Sequence, residues 1–348
     1  MVNSTEQRVE AFHSLGESIN KTLSGVSDPE TARLRRVISS YHNINSWFTP
    51  ENVRAALSAW AELLCRDNLL KWLGRYPDLE YEGAPATILT IMAGNIPMVG
   101  FHDALSVLIS GDRLVIKSSS KDPLLPCELL IMLCRVEPSF SDMISFGGNI
   151  RDTGSYDAVL ATGSDNSARH FSYLFGGLPM LIRRNRTSAA VLTGGETEVE
   201  MAALGNDIFR YFGLGCRSVT HLFLHEGYDT GTLSEAFPGQ SHIAGHKGYM
   251  QNYYYNRALM KMSRQTFTDN HFFILRESDS LFPPVSVLNY QFIKSGDIEK
   301  TIEKNRSRLQ AVSGRGYTPF GKSQNPDLWD YSDNLDTIRF LLDLKKRG

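Results

Sequence analysis

From residue 86 onward the chain alternates short apolar runs with polar turns and helical stretches, and this alternation restricts the fold more than any other feature. Residues 87–92 (TILTIM) form the first run, followed by the turn Ala93-Gly94-Asn95-Ile96-Pro97 and an apolar helical stretch from 99 to 109. Residues 113–117 (RLVIK) make the next strand, and Ser118-Ser119-Ser120-Lys121-Asp122-Pro123 opens a helix reaching about Arg135. Residues 157–162 (DAVLAT) make a third strand, with Gly163-Ser164 at the start of the helix after it. Strands that alternate with helices pair in parallel, because only a crossover connection returns the chain in the same direction. The expected fold class is α/β with a parallel sheet, and ligands are expected at the carboxyl ends of its strands. Three of those ends carry polar turns, at Asn95, at Lys117 with its serines, and at Gly163-Ser164.

The first eighty residues read as helices. Val9, Phe12, Leu15, Ile19 and Leu23 recur at helical spacing, and Asp28-Pro29 and Thr49-Pro50 each put a capping residue before a proline suited to a first helical turn. Farther along, Phe212-Gly213-Leu214-Gly215-Cys216-Arg217-Ser218 separates an expected helix over 196–212 from an expected strand over 218–225. A thiolate is useful where its charge can be stabilised, so a cysteine in a glycine turn between a helix and a strand is a candidate nucleophile. The alternative is a small residue packed in a turn. The trio Arg183, Arg184 and Arg186 reads as an ion-paired or solvated linker. Residues 272–275 and 282–288 read as strands broken by Pro283-Pro284.

Composition narrows the function. With 36 basic and 38 acidic residues the net charge is −2, so no field gathers nucleic acid or an anionic membrane. Cys65, Cys127, Cys134 and Cys216 show neither CxxC spacing nor a paired framework, which argues against disulfides and zinc. His242 and His246 are four apart, yet Gly245 and Gly248 argue against a helix there and no third ligand follows, so no metal is expected. The N-terminus has no basic, apolar leader, and no apolar run reaches the ~18 residues of a membrane span. A soluble, cytoplasmic protein is expected. No GxGxxG follows the first strand, so a nucleotide would have to be held by other means, with residues 161–166 (ATGSDN) as the candidate.

Several stretches together resemble the aldehyde dehydrogenase superfamily, and within it the acyl-CoA reductase branch that includes the fatty acyl-CoA reductase of bacterial luminescence. They are Gly94-Asn95-Ile96-Pro97, Val115-Ile116-Lys117 with the serines up to Pro123-Leu124, Ala161-Thr162-Gly163-Ser164, Phe212 to Ser218, and Phe282-Pro283-Pro284-Val285, in the family's order. The closing run from Phe320-Gly321-Lys322-Ser323-Gln324-Asn325-Pro326 to Asp336 resembles the branch's C-terminus. The resemblance implies an aldehyde-dehydrogenase-like fold: a helical segment over 1–80 on a nucleotide-binding domain over 81–187, a catalytic domain over 188–312 carrying Cys216, and a segment over 313–348 returning to the cofactor domain or a dimer interface. It places the active site in the crevice between the two domains. It implies that Cys216 is the nucleophile, with Asn95 and the Cys216 backbone N–H stabilising the oxyanion, a donor of that kind being worth roughly 3 kcal/mol of barrier. Lys117, Ser120, Gly163, Ser164 and Phe282 would bind the nicotinamide cofactor.

Three departures from the superfamily shape the expected chemistry. Hydrolytic members carry a glutamate in Glu-Leu-Gly-Gly, whereas Arg184-Asn185-Arg186-Thr187-Ser188 here offers no carboxylate. Without a base, water is a poor acceptor for an acyl-enzyme, which favours hydride reduction or exchange with coenzyme A. Ser120 stands where NAD-preferring relatives have a glutamate, which relieves repulsion of a 2′-phosphate and makes NADPH the expected cofactor, with NADH as the other option. Ser280-Leu281-Phe282-Pro283-Pro284-Val285 lacks the family's ribose-binding glutamate, for which Asp279 or Glu277 would have to substitute. The expected reaction is reduction of an acyl-CoA, with a fatty acyl group, to the aldehyde through an S-acyl cysteine. The alternatives are a hydrolytic dehydrogenase using His221 or His225 as base, and a non-catalytic subunit binding nucleotide or acyl groups. A homodimer, with a partner enzyme that supplies acyl groups or uses aldehyde, is the expected assembly.

Overall fold

The computed structural model describes residues 4–26, 28–79 and 83–346. The chain divides into two units, Met1–Arg184 with Asp327–Gly348, and Asn185–Pro326.

In the first unit, β1 (Thr87–Ile91), β2 (Arg113–Lys117), β3 (Ile144–Phe146), β4 (Ala158–Thr162) and β5 (Met180–Arg183) pair in parallel in the order β3-β2-β1-β4-β5. Ile91 pairs with Lys117 on one side and Ala161 on the other, so three neighbouring strands end level with one another. The strand order reverses between β1 and β4. That is the point where an open parallel sheet leaves a crevice outside its carboxyl ends.

The helices of this unit are α1 (Thr5–Leu23), α2 (Pro29–Ser40), α3 (Pro50–Leu63), α4 (Arg66–Leu73), α5 (Phe101–Ile109), α6 (Leu125–Val136) and α7 (Asp165–Leu174). Ser4 and Gln7 close a capping box at the start of α1, and Thr49 accepts the Asn52 N–H ahead of Pro50 in α3. Val9, Phe12, Leu15 and Ile19 are fully buried, as their spacing predicts, and each contributes about 1.5–3 kcal/mol of burial. A C-terminal helix, Thr337–Lys345, belongs to the same unit, and its Lys345 ammonium pairs with buried Asp112 at 3.2 Å. Of the two readings of the arginine trio, Arg183 takes the ion-paired one. Its guanidinium is buried between Asp103 at 2.6 Å, Thr337 Oγ1 at 2.6 Å and the Ser332 carbonyl at 3.3 Å.

The second unit holds β6 (Thr187–Leu192), α8 (Glu198–Phe209), β7 (Val219–His225), α9 (Thr230–Glu235), α10 (Lys247–Met262), β8 (Thr268–Asp269), β9 (Ile274–Glu277), β10 (Val287–Ile293), α11 (Ile298–Lys304) and β11 (Leu309–Ser313). The sheet order is β11-β6-β7-β10-β9-β8, parallel apart from the short antiparallel β8. α10 corrects the sequence reading. His246 caps it by accepting the Tyr249 N–H on Nδ1 at 3.0 Å, so Gly248 lies in a first turn whose donors the cap helps to satisfy. His246 also stacks on Phe212 at 4.3 Å, while His242 contacts the Gly239 carbonyl through Nδ1. Among the described residues no cluster of His, Cys, Asp and Glu is arranged to hold a metal ion, and no helix is long and apolar enough to cross a membrane.

Candidate active site

In the first unit the three polar turns fall on one edge of the sheet, at the carboxyl ends of β1, β2 and β4. Asn95 is half-buried in the turn four residues past Ile91, and Lys117 is the exposed last residue of β2. The two turns are built into each other. A Cβ on Gly94 would come within 2.6 Å of Ser119 Oγ and 2.9 Å of the Asp122 nitrogen, so only glycine permits this approach. Asp122, a residue the sequence reading passed over, accepts the Met98 N–H at 2.9 Å and the Tyr41 hydroxyl at 2.6 Å. Burial pushes its carboxyl up to about 6, against the pull of those hydrogen bonds. The Asn95 turn is thus fixed by a buried carboxylate from the segment that follows Lys117. Ser120 is exposed on that same segment.

Gly163 continues the ladder by donating to the Arg183 carbonyl at 3.2 Å, and Ser164 is the N-cap of α7, accepting the Ser167 N–H at 3.3 Å. The start of α7 thus presents backbone donors with one of them occupied by Ser164. Asp165 in the first turn adds a competing negative charge.

In the second unit Cys216 is half-buried at the amino edge of the sheet, in the turn that feeds β7. The chain reaches that turn through a strained segment. Tyr211, Phe212 and Gly213 are all left-handed, at φ 55°, 59° and 72°. For the two aromatic residues this costs on the order of 1–3 kcal/mol each. Their rings are buried, Phe212 packing on His246 and Tyr249, and that burial offsets the strain. The expected helix over 196–212 accordingly ends at Phe209.

Each peptide plane of the turn is pinned. The Gly215 N–H donates to Ser218 Oγ at 3.2 Å, and the Gly215 carbonyl accepts the Ser218 N–H at 3.0 Å. Because that carbonyl and the Cys216 N–H share one planar peptide, the direction of the Cys216 N–H is set as well. Ser188 Oγ, on β6, donates to the Cys216 carbonyl at 3.0 Å.

Beside this turn a cavity of about 220 Å³ opens along the amino ends of β6, β7 and β10. Phe212, Tyr249, Phe273 and Phe282 give it an apolar side and Asn185, Arg186, Thr187 and Thr220 a polar one, with no carboxylate or imidazole among its lining residues. Phe282 is partly exposed, with the Arg308 guanidinium 5.1 Å from its ring centroid. Ser286, left-handed at φ 71°, lines the cavity with a buried hydroxyl that has no partner. A larger cavity of about 640 Å³, near Tyr228 and Phe237, opens past the opposite ends of β6 and β7, a strand length from Cys216.

The histidines of β7 are engaged elsewhere in the sheet. His221 is fully buried, its Nδ1 3.2 Å from the Ser280 carbonyl, and burial depresses its pKa to about 4. His225 contacts Ser295 at the carboxyl end of β7, roughly 20 Å along the strand from the Cys216 turn. Burial raises the thiol pKa of Cys127 and of Cys134, so neither is a reactive thiolate at neutral pH. Asp279 and Glu277 are exposed just ahead of the Phe282 loop. Of the aromatic residues at 253–255, Tyr253 packs in the core and the other two are exposed, and none lines the cavity beside Cys216.

The sequence model of the acyl-CoA reductase (LuxC) family matches residues 18–235, a span holding Asn95, Lys117, Gly163, Ser164 and Cys216. No curated protein matches the sequence. Among solved structures, an oxidoreductase from Marinobacter aquaeolei superposes with a TM-score of 0.62 at 10% identity, over 89% of this chain and 73% of that one. An aldehyde dehydrogenase from Bacillus cereus gives a TM-score of 0.59 at 12% identity, over 89% and 72%. The Delta-pyrroline-5-carboxylate dehydrogenase from Mycobacterium tuberculosis bound with NAD gives 0.58 at 12%, over 94% and 70%. With the fold of the aldehyde dehydrogenases and a family match across most of its length, this chain belongs to the acyl-CoA reductase (LuxC) family of oxidoreductases.

Proposed function

We propose that the protein reduces a fatty acyl-CoA to the corresponding aldehyde, with NADPH as reductant and Cys216 as the acyl carrier. The Cys216 thiolate attacks the thioester carbonyl, and the tetrahedral oxyanion is stabilised by the Cys216 N–H and by the amide of Asn95. Collapse expels coenzyme A as the thiolate, which takes up a proton, and leaves an S-acyl enzyme. A nicotinamide cofactor would supply the hydride. Transfer to the acyl carbon gives a thiohemiacetal oxyanion on Cys216, whose collapse breaks the carbon–sulfur bond, frees the aldehyde and restores the thiolate.

The observation that carries this reading is the lining of the cavity beside the Cys216 turn, which offers one apolar, aromatic side to an acyl chain and no carboxylate or imidazole to activate water. An S-acyl enzyme there would outlast hydrolysis. The fit of a nicotinamide nucleotide is supported by the switch point between β1 and β4, with exposed Lys117 at one strand end and the capped start of α7 at another. Lys117 and Ser120 would meet the adenosine ribose, Gly163 and Ser164 the pyrophosphate, and Phe282 the nicotinamide side. Ser120 leaves room for a 2′-phosphate, which favours NADPH over NADH.

The test is NADPH and NADH oxidation with acyl-CoAs of increasing chain length. Cys216→Ala is expected to abolish turnover, while Cys65→Ala, Cys127→Ala and Cys134→Ala retain it. Full turnover by Cys216→Ala, or acid as the product from aldehyde without coenzyme A, contradicts the proposal.

A further inference from the structure

The run Phe320-Gly321-Lys322-Ser323-Gln324-Asn325-Pro326, singled out in the sequence but given no role by the reaction, makes a direct connection to the Cys216 turn. The Gln324 amide Nε2 donates to Ser218 Oγ at 3.1 Å and to the Asp207 carbonyl at 3.3 Å. Ser218 Oγ is the same atom that receives the Gly215 N–H at 3.2 Å. Gln324 therefore holds the acceptor that holds the turn. The run is anchored in its own right. The Asp207 carboxylate, fully buried on α8, accepts the Gly321 N–H at 2.7 Å, the Ser323 N–H at 3.2 Å and the Ser313 hydroxyl at 3.3 Å. Gly321 is left-handed at φ 82°, and a Cβ there would lie 3.1 Å from Ala203 Cβ. Its backbone can come close enough to α8 to reach Asp207 only without a side chain.

From this chain of contacts we infer that Gln324 is a positioning residue for the nucleophile, acting through the Ser218 hydroxyl on the Gly215 N–H and so on the turn that carries Cys216, with Asp207 as the fixed anchor of the run. The inference rests on Cys216 being the nucleophile. Ser218 is a fully buried hydroxyl with two donors converging on it. Removing Gln324 leaves the Ser218 hydroxyl with the Gly215 N–H as its one remaining donor, free to rotate away from it, while the Ser218 backbone stays tied to β6. The Leu214–Gly215 peptide then loses its acceptor, and the turn that presents the Cys216 N–H is left held by the Ser218 N–H on the Gly215 carbonyl alone at that end. The effect is on the reacting geometry, so it is expected in kcat and in thiol reactivity while the substrate KM stays near the wild-type value.

The experiment uses the full chain with Gln324→Met, which keeps the side-chain length and removes both donors, together with Ser218→Ala, the double variant and Lys322→Ala as an exposed neighbour. Two readouts are taken: the rate of Cys216 alkylation by iodoacetamide against pH, located by mass spectrometry, and steady-state acyl-CoA reduction. Gln324→Met and Ser218→Ala are each expected to lower kcat about tenfold and to shift the alkylation profile, as loss of one hydrogen bond at the site allows. The double variant is expected to be no worse than Ser218→Ala alone, since both act through one atom, and Lys322→Ala is expected to match wild type. Wild-type alkylation and kcat in Gln324→Met overturn the inference, as do losses that multiply in the double variant. If Gln324→Met does not fold, hydrogen exchange at Gly215 in the wild-type protein decides, since a held N–H exchanges slowly and an unprotected one contradicts the clamp. Alkylation and exchange need no acyl-CoA, so a failure of the proposed reaction, shown by an active Cys216→Ala, is distinguishable from a failure of the clamp.

Discussion

Ser188 on β6 and Cys216 at the entrance to β7 are joined by one hydrogen bond, from the serine hydroxyl to the cysteine carbonyl at 3.0 Å. The same Ser188 oxygen accepts the Ala311 N–H from β11 at 3.1 Å. A single hydroxyl therefore ties the Cys216 turn to two strands of its sheet. Ser188 also closes the segment where hydrolytic relatives are expected to carry their glutamate motif. A hydroxyl that holds the cysteine backbone stands near where a base for water would otherwise be sought.

Ser188→Ala removes the fully buried hydroxyl that serves the Cys216 carbonyl and the Ala311 N–H. The expected loss of stability is about 1–3 kcal/mol, with a lower kcat and little change in KM. Urea unfolding together with steady-state kinetics checks both parts, and wild-type kcat in this variant would show that the carbonyl needs no tether.

Ser286 carries a buried hydroxyl without a partner in the cavity wall. Its removal strands no other group, so Ser286→Ala is expected to keep its unfolding midpoint. If the hydroxyl meets the substrate, the KM for acyl-CoA rises several-fold. Unchanged KM together with unchanged stability would leave the hydroxyl without a role in binding.

In the first unit Arg183 and Asp103 form an ion pair at 2.6 Å with both side chains buried. Removing one member leaves a charge in a low-dielectric interior. Asp103→Ala is therefore expected to destabilise this unit by about 3–5 kcal/mol, whereas exposed pairs such as Arg306 with Glu303 contribute little. Thermal unfolding of Asp103→Ala and of Glu303→Ala separates the cases.

Burial holds the His221 pKa at about 4, below the unfolded value of about 6.5. Above pH 6.5 the imidazole is neutral in both states. Between 6.5 and 4 the unfolded chain binds a proton that the folded one does not, so this group's contribution to stability is lost as pH falls. Relative to His221→Asn, the wild-type protein is expected to lose stability through that window, measured as urea midpoints against pH. A parallel course of the two curves would mean that His221 titrates normally.

The strands that order the candidate cofactor edge were readable because parallel strands covered on both faces are short unbroken apolar runs, as in 87–91 and 113–117. The polar residues at their ends were readable for the same reason, since each interrupts such a run. β3 gave no signal, having three residues of which only Ile144 is buried. α10 was misread because glycine was counted as a breaker in a first turn that His246 caps. The left-handed turn at Tyr211 and Phe212 was hidden by residue type, because nothing in an aromatic side chain announces a positive φ that only tertiary burial sustains. The roles of Asp122, Ser188 and Gln324 depend on partners far away in sequence, 106 residues in the case of Gln324 and Ser218, and no local pattern encodes such a pairing.

The central claim is that Cys216 carries the acyl group. Its most direct test is to incubate the protein with acyl-CoA in the absence of reduced cofactor and to map the adduct by mass spectrometry. The account predicts one acyl group on the peptide containing Cys216, absent from Cys216→Ala and discharged as aldehyde when NADPH is added. An acyl group on another residue, or aldehyde formation by a protein never acylated at Cys216, would contradict it.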